Sequence, residues 1–114
     1  MLARVFDLID HNGSAVRCSA TAWSNKILAN HPELEGREDD IRRTVSDPDQ
    51  VLQDRDYPDR RHFVRRLPRT RFFVDVIVEY AYDEGTVSGR IVTAFVRERV
   101  RRGDTVLHAR PGRR

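Results

Sequence analysis

The spacing of apolar residues changes once along this chain, from a helical period in the first half to alternation in the second. Trp23 and Ile27 lie four residues apart, which places them on one buried face of a helix predicted from Thr21 to about Asn30. Thr21 is the predicted N-cap of this helix. Pro32 disfavours helical geometry at the residue before it, so the helix is expected to end there.

A second helix is predicted from about Arg37 to Val45. Ile41 and Val45 recur at the helical spacing and are expected to face the core, and Asp47-Pro48 is expected to end the helix.

Short alternating segments predict strands. Asn12-Gly13 supplies the positive φ angles of a tight turn, so Arg4–Asp10 and Ala15–Ala20 are predicted to form a hairpin. Further strands are predicted at Val51–Asp56, Arg61–Leu67, Arg71–Tyr82, Gly89–Arg99 and, at an edge, Thr105–Ala109. This order predicts a single α+β domain over residues 1–110, with the hairpin and two helices packed on an antiparallel sheet of about four strands. Residues 111–114 are expected to form a loose basic tail.

The net charge of +3 conceals a strong asymmetry between the two halves of the chain. Residues 1–59 carry seven cationic and twelve acidic side chains, a net charge of −5, whereas residues 60–114 carry fourteen arginines and six acids, a net charge of +8. Guanidinium groups match phosphate geometry, so the second half favours a polyanionic partner such as RNA. The alternative is that the two halves neutralise each other through salt bridges.

Several classes of protein are disfavoured by composition. No apolar segment approaches the roughly 18 residues of a membrane span, and the N-terminus lacks a signal-peptide pattern. A cytoplasmic protein is therefore expected, or one delivered into the cytoplasm of a target cell. With Cys18 as the only cysteine and no histidine cluster, neither a zinc site nor another metal or cofactor is expected.

Two residues of the first helix are candidates for acid–base or phosphate chemistry. His31 follows the helix C-terminus, where the negative end of the helix dipole favours the protonated imidazole. Lys26 is the only lysine of the chain, so this position keeps an ammonium group where the rest of the sequence uses arginine. The alternative for both residues is a solvated or helix-terminating role.

Arginines are dense along one predicted strand and beyond it. From Arg60 to Arg71 there are six arginines and no acidic residue. Alternation places Arg61 and Arg65 on one face of the strand and His62 and Arg66 on the other. The candidates for phosphate binding in this segment are Arg60, His62, Arg65 and Arg66.

Two carboxylates of the long strand, Asp75 and Glu79, do not predict a metal site. Four residues of strand separate them by roughly 13 Å, which is too far to share one ion. Pairing across strands with Arg90 or Arg97 is expected instead.

A set of short motifs resembles one family of small ribonucleases. The motifs are Trp23-x-x-Lys26-Ile27, His31-Pro32-Glu33-Leu34, Ile41-x-x-Thr44-Val45, Pro48-Asp49-x-Val51, Arg61-His62-Phe63 and Val92-Thr93-Ala94-Phe95. In this order and spacing they resemble the phage- and toxin-associated branch of the barnase–EndoU–colicin–RelE superfamily, over about residues 2–100.

The resemblance implies a function as well as a fold. Members of that superfamily are metal-independent endoribonucleases, often toxins, in which a ribose 2′-hydroxyl attacks the neighbouring phosphate. The resemblance assigns His31 to acid–base catalysis, Lys26 and Arg61 to phosphate stabilisation, and Thr93 to positioning. It also implies a cognate immunity or antitoxin protein as a partner.

Two other functions remain open from the residues alone. The arginine-rich second half is compatible with a non-catalytic RNA-binding module, whose affinity would fall steeply with salt. The opposite charges of the two halves are compatible with a protein-interaction domain, such as a phage-encoded inhibitor or a toxin-like protein held by its partner.

Overall fold

The computed structural model describes residues 4–99 and 104–111, in which two helices pack on one seven-stranded mixed sheet in an α+β fold. The strands are β1 Arg4–Ile9, β2 Ala15–Ser19, β3 Gln50–Gln53, β4 Arg60–Arg66, β5 Phe73–Asp83, β6 Thr86–Arg97 and β7 Val106–Ala109. The helical segments are α1, which begins as Ala20–Ala22 and continues as the π-helical Trp23–Leu28, the 3₁₀ turn Pro32–Leu34, and α2 Glu38–Ser46.

The predicted N-terminal hairpin is confirmed, but of the two turn residues Asn12 and Gly13 only Gly13 has a positive φ. The turn is built around one carboxylate. Oδ1 of Asp10 accepts hydrogen bonds from the backbone N–H groups of Asn12 and Ser14, both at 2.9 Å. Gly13 has a φ of +88°, which a residue with a side chain adopts only with strain. The turn therefore holds His11 in a defined position.

Helix α1 lies where the sequence predicts it, but its N-cap is two residues earlier in the chain. The hydroxyl of Ser19 accepts the N–H of Ala22 at 3.1 Å, so Ser19 is the N-cap and the assignment of that role to Thr21 is wrong. Either hydroxyl residue satisfies the sequence preference, and the end of β2 at Ser19 decides between them. Trp23 and Ile27 are buried, as predicted.

Helix α2 confirms the prediction from its apolar spacing. Ile41 and Val45 are fully buried, and they pack in the same core as Trp23 and Ile27 of α1. The helix ends at Ser46, immediately before the predicted Asp47-Pro48 stop.

The sheet is larger than the four strands predicted, and it is mixed rather than antiparallel. Its order is β1-β2-β6-β5-β4-β3-β7. The N-terminal hairpin joins it through a parallel pairing in which Ala15, Val16 and Arg17 of β2 lie beside Ser88, Gly89 and Arg90 of β6. Alternation reveals that a segment is a strand, but the partner of each strand depends on contacts between residues distant in sequence.

The two faces of the sheet have different surroundings. The inner face carries Phe63 and Val76, which belong to the core that α1 and α2 cover. The outer face carries His62, Asp75 and Thr93, which alternate with the inner residues along β4, β5 and β6.

The sheet is strongly curled. Strands β1 and β7 are its two edges, and in a flat sheet of seven strands they would lie roughly 29 Å apart. The ring centroid of His11, which follows β1, nevertheless lies 4.8 Å from that of His108 on β7. The hairpin turn therefore reaches back over the inner face to the opposite edge.

No helix in the part of the chain that the structure describes has the length and apolar character needed to cross a bilayer. Of the tail predicted over residues 111–114, only Pro111 falls within the described ranges.

Candidate functional site

The four residues that the resemblance assigns to catalysis lie at separate places in the fold. Lys26 is exposed on α1, and His31 follows that helix with its ring centroid 5.6 Å from that of Phe95 on β6. Arg61 belongs to the inner face of the sheet, whereas Thr93 belongs to the outer face. The structure brings His31 near the strand that carries Thr93, but it does not bring Arg61 and Thr93 together.

Of the four residues predicted to bind phosphate, two are paired with carboxylates. Nε of Arg60 lies 3.0 Å from Oε2 of Glu79, and Nη1 of Arg65 lies 3.1 Å from Oδ2 of Asp47. Arg66 is exposed and forms no ion pair with any residue that the structure describes. The fourth residue, His62, belongs to a buried network.

This outer-face network consists of Asp54, His62, Asp75 and Arg97. Nε2 of His62 lies 2.6 Å from Oδ1 of Asp54, and its Nδ1 lies 3.1 Å from Oδ1 of Asp75. Nη1 of Arg97 donates to Oδ2 of Asp75 at 2.7 Å, which confirms the predicted cross-strand pairing. Both ring nitrogens of His62 are therefore occupied by carboxylates of the protein.

The geometry of the network requires a charged His62. Two carboxylates face its two ring nitrogens, so both nitrogens act as N–H donors only in the imidazolium form. Burial alone would lower the pKa of His62, but the hydrogen bond and charge of Asp75, together with those of Asp54, raise it above its ordinary value. The positive charges of His62 and Arg97 then balance the negative charges of Asp54 and Asp75.

This balance predicts a pH-dependent stability. Because the pKa of His62 is higher in the folded state, its stabilising contribution is complete below about pH 6.5 and is lost as the pH rises through the folded pKa. Urea unfolding of the wild type and of His62→Gln from pH 6 to 9 is expected to show a difference in unfolding free energy that shrinks with rising pH. A difference that stays constant over this range would contradict the assignment.

A second cluster lies on the inner face, under the hairpin turn. This inner-face cluster consists of Asp10, His11, Arg61, Tyr80 and His108. The hydroxyl of Tyr80 donates to Oδ2 of Asp10 at 2.6 Å, and burial together with this bond raises the pKa of Tyr80, so the phenol remains a donor. The hydroxyl thus ties the turn that carries His11 to strand β5.

Gly89 makes room for the Tyr80 ring. A Cβ atom at position 89 would lie 3.1 Å from Cε1 of Tyr80 and 2.6 Å from Cγ1 of Val78, so a side chain there would displace both residues. The position of Tyr80 under the turn therefore depends on the close approach of β5 and β6.

Two histidines from the ends of the chain meet in the inner-face cluster. His11 packs edge-to-face on Phe63, with ring centroids 5.6 Å apart, and lies 4.8 Å from the ring of His108. His108 is directly opposite Val51 on β3, which is itself opposite Phe63 on β4. Phe63, Val51 and His108 thus form a row across β4, β3 and β7, and the imidazole of His11 packs on this row.

Strand β7 is held at its C-terminal end by an arginine clamp. Nε of Arg110 donates to Oδ1 of Asp49 at 3.0 Å, and Nη2 donates to the backbone oxygen of Asp47 at 2.8 Å. The backbone N–H of Arg110 also donates to the backbone oxygen of Asp49 at 2.7 Å. These bonds place His108, two residues earlier, against the sheet edge.

Arg61 completes the inner-face cluster and has no acidic partner in it. Its Cζ lies 5.2 Å from the ring centroid of Tyr80, and it forms no ion pair with any residue of the described ranges. Nδ1 of His11 is buried and likewise has no hydrogen-bond partner among those residues. The carboxylate of Asp10 is already engaged by Tyr80 and by the turn. The guanidinium of Arg61 is therefore the group of the cluster left to meet an anion, because the carboxylate of Asp10 is held by other donors.

The electrostatics of the cluster favour a neutral His11. Burial, followed by the nearby His108, lowers its pKa below the ordinary value of 6.5; Arg61 adds to this effect and Asp10 opposes it. A neutral imidazole at physiological pH has a free lone pair and can accept a proton.

Sequence reasoning missed His11 and His108. They are separated by almost the whole chain, one in a turn and the other in an edge strand, and no spacing rule connects them. The only available signal is that the chain has just four histidines.

The fold and this site define an α+β protein with a curled mixed sheet and a histidine–arginine cluster on its inner face. Comparisons with protein-family models, with curated proteins and with solved structures give no match. The resemblance to the ribonuclease superfamily therefore rests on the motifs of the sequence.

Proposed function

We propose that this protein is a metal-independent endoribonuclease whose chemistry takes place in the inner-face cluster. One observation carries the proposal: the ring centroids of His11 and His108 lie 4.8 Å apart. Arg61 lies in the same cluster and forms no ion pair with any residue that the structure describes. Two imidazoles and one guanidinium are sufficient for phosphodiester transfer, because one group removes a proton, another donates one, and the third stabilises charge on phosphorus.

The roles follow from the environment of each side chain. Neutral His11 accepts the proton of a ribose 2′-hydroxyl as that oxygen attacks the adjacent phosphorus. Arg61 stabilises the negative charge that develops on the phosphoryl oxygens. His108 donates a proton to the departing 5′-oxygen, which leaves a 2′,3′-cyclic phosphate on one product and a 5′-hydroxyl on the other. DNA lacks the attacking hydroxyl and is not a substrate.

The charge distribution and the motifs support RNA as the substrate. The +8 charge of residues 60–114 favours a polyanion. The α+β fold, with two helices packed on one sheet, has the general layout that the ribonuclease resemblance implies, although the sheet has additional strands. Under this proposal an immunity or antitoxin protein is the expected partner, because uncontrolled RNA cleavage harms the cell that makes the enzyme.

The proposal is tested by incubating the purified protein with total RNA in EDTA and analysing the fragment ends. We expect fragments with 2′,3′-cyclic phosphate ends from the wild type, and the loss of nearly all of them in His11→Ala and in His108→Ala. His31→Ala is the matched variant, because His31 is the acid–base residue that the resemblance assigns and it lies outside the inner-face cluster.

The outcomes separate the two sites from each other and from inactivity. Loss of cleavage in His31→Ala together with full cleavage in His11→Ala would place the chemistry at the helix end and overturn the proposed cluster. Intact RNA after incubation with folded wild type would overturn the proposed activity itself. Circular dichroism of each variant establishes that it is folded.

A further inference from the structure

Aromatic and arginine side chains alternate at one end of the outer face. Arg66 of β4, Phe73 of β5 and Arg97 of β6 lie directly opposite one another in register. Phe95 lies two residues from Arg97 on β6 and so shares its face. These four residues form the aromatic–arginine strip, and His31, whose ring is 5.6 Å from that of Phe95, lies at its margin.

Each ring of the strip is paired with a guanidinium. Cζ of Arg66 lies 5.3 Å from the centroid of Phe73, and Cζ of Arg97 lies 5.1 Å from that of Phe95. Phe73 and Phe95 are diagonal neighbours across two strands, which corresponds to roughly 7 Å between them. Both rings are only partly buried, so part of each remains accessible.

The outer-face network holds one of these guanidiniums in place. Arg97 donates to Asp75, which is fully buried and is itself bonded to His62. Arg97 therefore reaches the Phe95 ring from a rigid anchor and loses little side-chain entropy on binding a ligand.

The surroundings of the strip are predominantly cationic. Arg66 and Arg69 are exposed and form no ion pair with any residue in ranges 4–99 and 104–111. Arg71 is also exposed, although Glu98 pairs with it at 2.9 Å. Glu33, 3.5 Å from Nδ1 of His31, is the acidic side chain at the other margin. Such a surface attracts phosphates while leaving aromatic faces for another type of contact.

We propose that the aromatic–arginine strip binds single-stranded RNA, with unpaired bases stacking on Phe73 and Phe95 and the backbone phosphates contacting Arg66 and its neighbours. Aromatic rings on a sheet surface are a general means of holding unstacked bases, and interleaved arginines supply the sequence-independent electrostatic attraction. A double helix does not present its base faces, so the rings discriminate single strands from duplexes.

This inference rests on the proposed function only for the choice of RNA as ligand, because binding at the strip requires no cleavage. Five residues of β4 separate Arg66 from Arg61, roughly 17 Å along the strand, and the two side chains point to opposite faces. The strip thus holds a part of the RNA distant from the bond that is cleaved.

The experiment uses a fluorescein-labelled 2′-O-methyl oligoribonucleotide, which lacks the attacking hydroxyl and stays intact whether or not the protein is a nuclease. Fluorescence anisotropy compares this strand with its duplex and with single-stranded DNA. Phe73→Leu and Phe95→Leu keep apolar bulk and remove the planar ring, and we expect each to weaken single-strand binding by about 5- to 100-fold. Tyr82→Ala is the matched control, since Tyr82 is an exposed aromatic residue of β5 far from the strip.

A second measurement isolates the phosphate contacts. Arg66→Gln is expected to reduce the slope of log Kd against log salt by about 0.7, the value for one phosphate contact to a single strand. Arg90→Gln, outside the strip, is expected to leave the slope unchanged.

Unchanged single-strand affinity in both leucine variants would overturn the inference, and so would a duplex that binds as tightly as the single strand. Equal affinity for single-stranded DNA would support the stacking mode and show that the strip does not use the ribose hydroxyl. If the wild type cleaves RNA but its single-strand affinity does not depend on Phe73 or Phe95, the proposed function would stand and only the binding role of the strip would be overturned.

Discussion

Asp75→Ala is expected to lower the unfolding free energy by about 3–5 kcal/mol, the usual cost of removing one partner from a buried ion pair. Asp75 is fully buried and lies between His62 and Arg97, so its removal leaves two positive charges facing each other without compensation. A domain of this size is stable by about 5–15 kcal/mol, so the variant is expected to be marginal.

Urea unfolding at pH 6, followed by circular dichroism, measures this effect. Asp75→Asn serves as the isosteric comparison, because it keeps the shape of the side chain and removes only the charge. Asp39→Ala is the control for a surface pair, since Asp39 is largely exposed where it meets Arg42 and its removal is expected to change stability little. An Asp75→Ala variant as stable as the wild type would show that the outer-face network does not stabilise the fold.

His11→Ala and His108→Ala are each expected to slow RNA cleavage by about 10²–10⁴-fold, the usual contribution of a positioned acid or base. The pH dependence identifies which of the two is the base. Since the pKa of His11 is lowered below 6.5 by burial and by His108, the acidic limb of the wild-type pH–rate profile should have its midpoint below pH 6.5.

Initial rates on a short fluorogenic oligoribonucleotide, measured from pH 4.5 to 8 in EDTA, test this profile. His11→Ala should lose the acidic limb together with most of the rate, whereas His31→Ala should retain both. A wild-type midpoint above pH 7 would contradict a neutral His11, and an unchanged profile in His11→Ala would exclude it as the base.

Much of the local structure follows from short-range pattern in the sequence. The Asn12-Gly13 turn, the burial of Trp23 and Ile27, and the period-two segments that became β4 to β7 are each determined by neighbours within a few residues. The wrong N-cap of the first helix reflects competition between similar signals. Ser19 and Thr21 are both good N-caps, and only the end of β2 selects the first.

The size of the sheet was not predictable from the same pattern. Alternation in β2 shows that this strand has a buried face. It does not show that β2 pairs in parallel with β6. Such pairing depends on loop closure over about seventy residues, from Val16 to Gly89, and on the fit of Val16 against neighbouring strands.

The sequence by itself determined the α+β class, the two helices, the strand segments and the concentration of arginine in the second half. The tertiary structure alone decided where charge and chemistry meet. Curling of the sheet brings His11 to His108, and β-strand register buries His62 between Asp54 and Asp75. The physical reason is the sequence range over which each interaction acts. Periodicity and capping act over a few residues, whereas the partners of a buried charge come from strands that are distant in sequence and adjacent only in the folded sheet.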